Sequence, residues 1–335
     1  MKRFFSWLTI IVALLVVAYL LGPQPEEPEY GTNIPTVPAG AKQLEAYVKA
    51  NEFVHKLKPD NEARIIWAND STKQKTNYAI VYLHGFSASQ AEGEPVHRNI
   101  AKKFGCNLYL SRLAGHGIDT TNPMIGFTAS EYWESAKQAL AIGRSLGNNV
   151  ILMATSTGGT LALQLAATFP RHVAALVLLS PNIAINNDKA YLLNNPWGLQ
   201  IAKLVTGADA ITAKDSRTIY KKYWYHHYRY EPTVELEELL ETTMTRETFA
   251  RVKQPALLLY YYKDAIYQDS VVSVPAMLTM FNQLGTAPEN KIKKAMPKAG
   301  NHVIGSYIKS EDVQGVQHEV EDFMEKVIKV RKQEP

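Results

Sequence analysis

The sequence predicts an α/β fold in which a mostly parallel sheet is flanked by helices and carries an inserted helical cap. Two observations indicate the sheet: short valine, isoleucine and leucine runs recur along the chain, and segments with helical spacing separate most of them. A third observation indicates the cap, because this alternation stops between residues 183 and 252. Continuous apolar strands alternating with helices are typical of a parallel sheet covered on both faces.

Seven short apolar runs are the predicted strands of this sheet. They lie at residues 63–69, 77–85, 106–113, 149–155, 173–180, 255–262 and 291–297. Thr128, followed three residues later by Glu131, forms a capping-box pattern that predicts a helix start before the fourth run. The side chains that could carry chemistry follow the ends of several of these strands.

Composition divides the chain into four regions. Residues 1–22 are mostly apolar, and residues 23–40 are rich in proline, which is typical of an extended tether. We predict that residues 41–182 and 253–335 form the sheet domain and that residues 183–252 form the cap. We expect the aromatic side chains of the cap to pack between its helices.

The N-terminal region carries a membrane signal. Lys2 and Arg3 precede an uncharged apolar run over residues 4–21, which approaches the length that a helix needs to span a bilayer. We predict an uncleaved membrane anchor with the sheet domain outside the cytoplasm, in the periplasm if the source is bacterial. The alternative is a cleaved secretory signal and a secreted protein, but residues 16–18 (VVA) form a poor cleavage site.

Composition also argues against several classes of partner. The net charge of +4 comes from 36 basic and 32 acidic residues without a concentrated basic face, so we expect no nucleic-acid partner. The single cysteine, Cys106, cannot form an intramolecular disulfide. The chain has no GxGxxG, phosphate-loop or HExxH motif, and His226 and His227 lack nearby ligand partners, so we expect neither a cofactor nor a metal. The oligomeric state stays open.

A candidate nucleophile, Ser156, follows the fourth predicted strand. The junction reads ATSTG over residues 154–158 and runs into a helix rich in glycine and alanine. This pattern resembles the nucleophile elbow of the α/β-hydrolase family, in which small residues on either side let a serine occupy a tight strand-to-helix turn. Ser87 and Ser89 are alternatives, but they lie in a loop and lack the helix pattern that follows Ser156.

A candidate acid and a candidate base follow Ser156 in the order that the family uses. Asp264 comes directly after the strand at 255–262, and Asp269 is a competing acid five residues further on. We favour Asp264 because it lies at the strand end. His302, in the sequence KAGNHV after the last strand, is the predicted base, since an imidazole can take up and return a proton near neutral pH.

The resemblance to the α/β-hydrolase family covers about residues 60–330. Alanine at position 154 replaces the commoner glycine, and Tyr261 lies near the place of a glycine that usually precedes the acid. The cap and the HGF sequence at 84–86 look most like monoacylglycerol lipase and carboxylesterase relatives, in the serine-aminopeptidase-like group. A serine at the elbow argues against a haloalkane dehalogenase, which carries an aspartate there.

The resemblance implies an oxyanion hole and a reaction. The HGF loop would supply the Phe86 N–H, and the helix start would supply the Thr157 N–H, to a developing oxyanion. His84 would hold the loop by hydrogen bonds, and the GHG sequence at 115–117 would be a structural turn. The implied activity is hydrolysis of a short or medium acyl ester or a monoacylglycerol through an acyl-enzyme on Ser156.

Other functions fit the same motifs. A peptidase, a thioesterase or an acyltransferase would use the same three side chains, because the fold does not select the bond that is cleaved. A catalytically silent, membrane-tethered binding protein with this fold is the alternative outside enzymes. Reaction at Ser156 would separate the enzymes from the silent protein.

Overall fold

A seven-stranded sheet forms the centre of the computed structural model, which describes residues 2–332. The described residues contain nine strands: β1 (Arg64–Ile66), β2 (Thr76–Leu83), β3 (Asn107–Leu110), β4 (Gly147–Thr155), β5 (Ala175–Leu179), β6 (Ala210–Thr212), β7 (His227–Arg229), β8 (Ala256–Tyr260) and β9 (Lys291–Ala295). The sheet has the order β1-β3-β2-β4-β5-β8-β9. β1 runs antiparallel to β3, and all other pairs in this sheet are parallel.

The predicted α/β-hydrolase fold is confirmed, and each of the seven predicted apolar runs overlaps one strand of the sheet. Strands β3, β5 and β8 are buried along their whole length. Burial on both faces explains why these strands appear in the sequence as continuous apolar runs without polar alternation.

Helices cover both faces of the sheet. The described helices are α1 (Lys2–Leu20), α2 (Ala41–Phe53), α3 (Val96–Phe104), α4 (Ala129–Leu146), α5 (Thr157–Thr168), α6 (Gly198–Thr206), α7 (Thr218–Tyr223), α8 (Glu231–Thr243), α9 (Arg246–Arg251), α10 (Val274–Gln283) and α11 (Val313–Lys326). Alternate residues of β2 face opposite layers: Val81 packs in the core with α4 and α5, and Ile80 packs in the core with α3 and α11. The predicted start of α4 is found, because the Thr128 hydroxyl accepts a hydrogen bond from the Glu131 N–H at 3.1 Å.

Between β5 and β8 the chain leaves the sheet and forms α6 to α9. The sequence indicated no strand in this segment, whereas β6 and β7 pair antiparallel there. Each of these strands has only 3 residues, which is too short for a periodic pattern to be recognised. α9 contacts α5, so the end of the predicted cap lies against the sheet domain.

The prediction of a membrane anchor is wrong. Among residues 2–332, no helix combines the length and the apolar character that crossing a membrane requires. α1 starts with Lys2 and Arg3, so its apolar part runs from Phe4 to Leu20. At 1.5 Å per residue this part is about 26 Å long, against about 30 Å of hydrocarbon. The membrane contact predicted for residues 4–21 and the extracytoplasmic location derived from it are corrected accordingly.

The proline-rich segment lies along the body of the protein. The Trp133 indole of α4 donates to the Gly31 carbonyl at 2.9 Å, and the Tyr30 hydroxyl lies 2.7 Å from the Thr242 hydroxyl of α8. At the beginning of the segment, the Trp197 N–H donates to the Pro23 carbonyl at 3.0 Å. The segment therefore contacts both the sheet domain and the inserted helices.

Candidate active site

Ser156 occupies a strained turn between β4 and α5. Its φ is 52° and its ψ is −125°, a conformation that residues with a side chain rarely adopt. Hydrogen bonds hold the turn in place: the Ser156 N–H donates to the Leu179 carbonyl at 3.1 Å, and the Ser156 carbonyl accepts from Gly159 at 2.8 Å and Asn182 at 2.9 Å. The backbone of the next strand therefore fixes a serine at the carboxyl end of the sheet.

The small residues around Ser156 are required by the packing of the turn. A Cβ atom on Gly158 would lie 2.1 Å from the Leu83 carbonyl oxygen at the end of β2. Ala154 is completely buried between neighbouring strands. A larger residue at either position would collide with its neighbours, as expected for a tight strand-to-helix turn.

His302 is paired with Asp269. The His302 Nδ1 lies 2.6 Å from a carboxylate oxygen of Asp269, and the other oxygen of that carboxylate accepts from the backbone N–H groups of Val271 at 2.9 Å and Val272 at 3.0 Å. Asp269 is 1% exposed and His302 is 9% exposed. An acid fixed by two amides can hold the imidazole in one tautomer, with Nδ1 protonated and Nε2 free to accept a proton.

Asp264 lies elsewhere, and the structure does not bring it to His302. Its carboxylate accepts the backbone N–H groups of Ile266 at 2.9 Å and Tyr267 at 2.8 Å, so it closes an exposed turn after β8. The chain then folds back, and the Asp269 N–H donates to the Tyr261 carbonyl at 3.1 Å. This small hairpin returns Asp269 to the end of β8. Asp264 is therefore closer to the strand along the chain, whereas Asp269 is the aspartate that reaches His302.

The pair has opposite pKa shifts. Burial alone would raise the pKa of Asp269, but the charge and hydrogen bond of His302, with the two backbone amides, lower it. Burial alone would lower the pKa of His302, but the charge and hydrogen bond of Asp269, with the charge of Glu92, raise it. The buried carboxylate therefore favours the imidazolium that forms when the histidine takes up a proton.

Hydrogen bonds hold the HGF loop, and among residues 2–332 the Phe86 N–H has no hydrogen-bond acceptor. His84 Nδ1 lies 2.9 Å from the Gly85 carbonyl oxygen, and the Ala88 N–H donates to the same oxygen at 3.3 Å. In a trans peptide unit the C=O and the following N–H point in opposite directions. Fixing the Gly85 carbonyl therefore also fixes the direction of the Phe86 N–H.

Two neutral histidines support this loop. His84 Nε2 accepts from the Leu113 N–H at 3.1 Å, and His116 Nε2 accepts from the Ser87 N–H at 2.9 Å. Burial lowers the pKa of His84 to about 4 and lowers the pKa of His116 well below its usual value. Since both rings accept a hydrogen bond at Nε2, a structural role fits them better than proton transfer.

One large cavity joins these groups. It has a volume of about 1050 Å³ and is lined by Ser156, His302, Phe86 and Thr157, with Asp269 behind the imidazole. Within the described residues, no hydrogen bond joins the Ser156 hydroxyl to His302 in this arrangement, and such bonds often tighten only when substrate is present. Of the five predicted site residues, the structure thus brings four to the cavity and leaves Asp264 outside it.

Glu92 was not predicted from the sequence. Glu92 lines the same cavity, is 2% exposed, and accepts the Gly85 N–H at 2.5 Å. Burial raises the pKa of its carboxyl group to about 7, although the Gly85 N–H and the His302 charge oppose this shift. A lone glutamate eight residues after His84 carries no pattern that distinguishes it from a surface residue in the sequence.

This architecture defines a class of protein. A parallel sheet with a serine on a strained strand-to-helix turn, followed along the chain by an aspartate and a histidine at later strand ends, is the arrangement of α/β hydrolases. The sequence model of the α/β-hydrolase fold family matches residues 78–254, which is more than half of the chain. The chain belongs to this family, as the sequence motifs predicted. No curated protein sequence matches it.

Solved structures of lipolytic enzymes share the fold. A structure from the work on LipS and LipT, two metagenome-derived lipolytic enzymes, has a TM-score of 0.64 at 19% identity and covers 81% of this chain and 100% of its own. The monoacylglycerol lipase of Paleococcus ferrophilus has a TM-score of 0.57 at 14% identity, with coverage of 78% and 97%. A soluble variant of the monoglyceride lipase of Saccharomyces cerevisiae has a TM-score of 0.57 at 12% identity, with coverage of 79% and 91%.

Proposed function

We propose that the protein is a serine hydrolase that cleaves carboxylic esters through an acyl-enzyme on Ser156, with His302 as base and Asp269 as acid. The observation that carries this proposal is that a serine on a strained turn and a buried His302–Asp269 pair line or adjoin one cavity. This assignment replaces Asp264 by Asp269, because of these two aspartates it is Asp269 whose carboxylate contacts the imidazole.

Each group has a role in the first half of the reaction. His302 Nε2 takes the Ser156 proton while the serine oxygen bonds to the ester carbonyl carbon, and Asp269 stabilises the resulting imidazolium. The Phe86 and Thr157 N–H groups donate hydrogen bonds to the carbonyl oxygen and stabilise the negative charge that develops on it. The imidazolium then gives its proton to the alcohol oxygen as the ester bond breaks, which leaves the acyl group on Ser156.

The second half returns the enzyme to its starting state. A water molecule takes the place of the alcohol, His302 removes one of its protons, and the hydroxyl oxygen attacks the acyl carbon. The acyl–serine bond breaks, the serine oxygen regains a proton from the imidazolium, and the carboxylic acid leaves. No group beyond those in the cavity is needed for the proton balance of either half.

The lining of the cavity supports an acyl substrate. The wall formed by the inserted helices and the loop before them is apolar, with Leu192, Leu193, Ile201, Val205 and Leu236. A volume of about 1050 Å³ is at the upper end of the range for small-molecule sites. The lipolytic enzymes and monoacylglycerol lipases with the same fold support the same choice. We therefore propose a medium-chain acyl ester or a monoacylglycerol as the substrate class.

Reaction with a fluorophosphonate and a chain-length series of nitrophenyl esters test the proposal. The wild-type protein should be labelled and should hydrolyse the esters, and Ser156→Ala should lose labelling and reduce kcat by several orders of magnitude. Ser89→Ala is the matched control, because this buried hydroxyl has no hydrogen-bond partner in the described part of the chain and does not line the cavity. An unlabelled wild-type protein, or full ester turnover by the folded Ser156→Ala variant, would refute the mechanism. Thioester and amide substrates in the same assay would reveal a different preferred bond.

A further inference from the structure

Glu92 is a buried acid that the mechanism above does not use. It lies in a short 3-10 turn, Gln90–Gly93, directly after the HGF loop. Its carboxylate faces the cavity that Ser156 and His302 line. A carboxyl group at 2% exposure is costly to bury unless its oxygens have partners, so its contacts indicate what it does there.

The first contact is with the HGF loop. The Gly85 N–H donates to a Glu92 carboxylate oxygen at 2.5 Å. A Cβ atom on Gly85 would lie 3.0 Å from both carboxylate oxygens and 2.8 Å from the Ser156 Cβ, so the backbone of Gly85 is packed between the acid and the serine. With the amide of Gly85 bonded to Glu92 and its carbonyl bonded to His84, both peptide units around this residue are fixed.

The second contact is electrostatic. Glu92, His302 and Trp224 line the same cavity, and the charges of Glu92 and His302 each affect the pKa of the other. The other titratable groups that face Glu92 are the phenols of Tyr82, Tyr132 and Tyr220, and burial raises the pKa of each of them, so they stay neutral. On the histidine, Asp269 and Glu92 are the two acids that favour the charged ring.

Building on the proposed function, we propose that Glu92 is a positioning residue of this site. Its carboxylate accepts the Gly85 N–H, which helps to fix the Gly85 backbone and, through it, the Phe86 N–H that donates to the oxyanion. When ionised, it also places a second negative charge beside the His302 ring. The first effect needs a hydrogen-bond acceptor at this position. The second effect needs a negative charge. Two substitutions separate them.

Glu92→Gln keeps a side-chain carbonyl that can accept the Gly85 N–H, but it removes the charge. Without that charge the pKa of His302 falls, so the neutral imidazole persists to lower pH. Burial raises the pKa of the Glu92 carboxyl group to about 7, so at the pH of the acid limb the wild-type group is charged in only part of the molecules. We therefore expect the acid limb of the kcat/KM profile to move to lower pH by roughly a few tenths of a unit, with kcat at pH 8 within about fivefold of the wild type.

Glu92→Ala removes the acceptor as well as the charge. Loss of one oxyanion donor costs about 10²-fold to 10³-fold in kcat, and a donor that is only loosened should cost less. We expect kcat to fall by about tenfold to 100-fold while KM changes by less than about threefold, because the oxyanion exists only in the transition state. A merely structural acid would change stability without moving the pH profile.

Glu237→Gln is the matched control. Glu237 of α8 is also a buried acid, and burial raises the pKa of its carboxyl group to about 7, but it does not line the cavity. We expect this variant to keep the acid limb of the wild type.

If the wild type hydrolyses esters and the Glu92→Gln profile coincides with that of the wild type, the proposal for Glu92 is overturned while the proposed function stands. If circular dichroism shows that Glu92→Ala does not fold, the Glu92→Gln variant still tests the proposal, because glutamine has nearly the same shape as glutamate. A wild type that neither hydrolyses esters nor reacts with a fluorophosphonate would instead refute the proposed function on which this inference rests.

Discussion

Asp269→Asn, compared with Asp264→Asn, separates the two candidate acids. In the structure the Asp269 carboxylate accepts three hydrogen bonds, from His302 Nδ1 at 2.6 Å and from the N–H groups of Val271 and Val272. An asparagine can keep the two backbone amides on its carbonyl oxygen and would then turn its NH₂ group towards the imidazole. The ring would have to accept at Nδ1 and carry its proton on Nε2, where it cannot take the Ser156 proton.

The expected magnitude follows from this change of tautomer. In serine proteases the corresponding substitution lowers kcat by about 10⁴-fold while leaving the geometry intact. Since the carboxylate here is buried and makes the same kind of contact, we expect a loss of about 10³-fold to 10⁴-fold, or about 4 to 5.5 kcal/mol of transition-state stabilisation. The pKa of His302 should also fall, because the hydrogen bond and charge that raise it are removed. The residual activity should therefore extend to lower pH than that of the wild type.

Asp264→Asn provides the comparison. The Asp264 carboxylate is exposed and accepts two backbone N–H groups of its own turn, and an asparagine carbonyl can accept the same bonds. We expect kcat/KM within about twofold of the wild type. Steady-state kinetics on one nitrophenyl ester across a pH series, with circular dichroism to confirm folding, measure both variants. A large loss in Asp264→Asn together with full activity in Asp269→Asn would refute the assignment of the acid from the geometry.

Two further predictions concern stability. Gly158→Ala should lower the free energy of unfolding, measured by urea unfolding, by about 2 kcal/mol or more. The reason is that the added Cβ would lie 2.1 Å from the Leu83 carbonyl oxygen. Gly126→Ala is the control, because a Cβ at that position meets nothing within 4 Å. Burial lowers the pKa of His84 to about 4 from an unfolded value near 6.5, so the unfolded chain binds the proton first as the pH falls. This residue alone should cost about 2 kcal/mol of stability between pH 7.5 and pH 5, and a His84→Gln variant with the same pH dependence as the wild type would contradict that assignment.

The parts of the fold that the sequence predicted are those that depend on local pattern. Strands such as β5 and β8 are buried on both faces and therefore appear as unbroken apolar runs. Ser156 could be predicted because its turn needs small neighbours, and Gly158 supplies one of them in the sequence itself. The short strands β6 and β7, with 3 residues each, leave no pattern of comparable length.

The acid could not be chosen from distance along the chain. Both Asp264 and Asp269 follow β8, and the choice between them depends on a hairpin in which Tyr262 pairs with Gln268. That pairing joins residues on opposite sides of the turn that Asp264 closes, so Asp264 serves the turn while Asp269 is returned to the strand end. Glu92 was missed for a similar reason, since its partner, the Gly85 N–H, is set by the return of the 3-10 turn against the HGF loop.

Strained serine backbones gather at the carboxyl edge of the sheet. Ser87, Ser156 and Ser180 all have positive φ values, of 63°, 52° and 45°, and each follows a different strand of the central sheet. Such a conformation costs on the order of 1–3 kcal/mol per residue unless the surroundings fix it. Here each N–H has a fixed acceptor: His116 Nε2 for Ser87, the Leu179 carbonyl for Ser156 and the Leu259 carbonyl for Ser180.

These acceptors explain how the strain is maintained. Two of them are carbonyls at the ends of adjacent parallel strands, so the register of the sheet holds the turns that follow it. The third is a buried histidine that stays neutral because burial lowers its pKa well below the usual value. A strained turn that is held by the core does not have to be rebuilt when a substrate enters. The serine hydroxyl and the loop amides are therefore in position before the proposed reaction begins, which is the condition under which hydrogen-bond donors lower a barrier most.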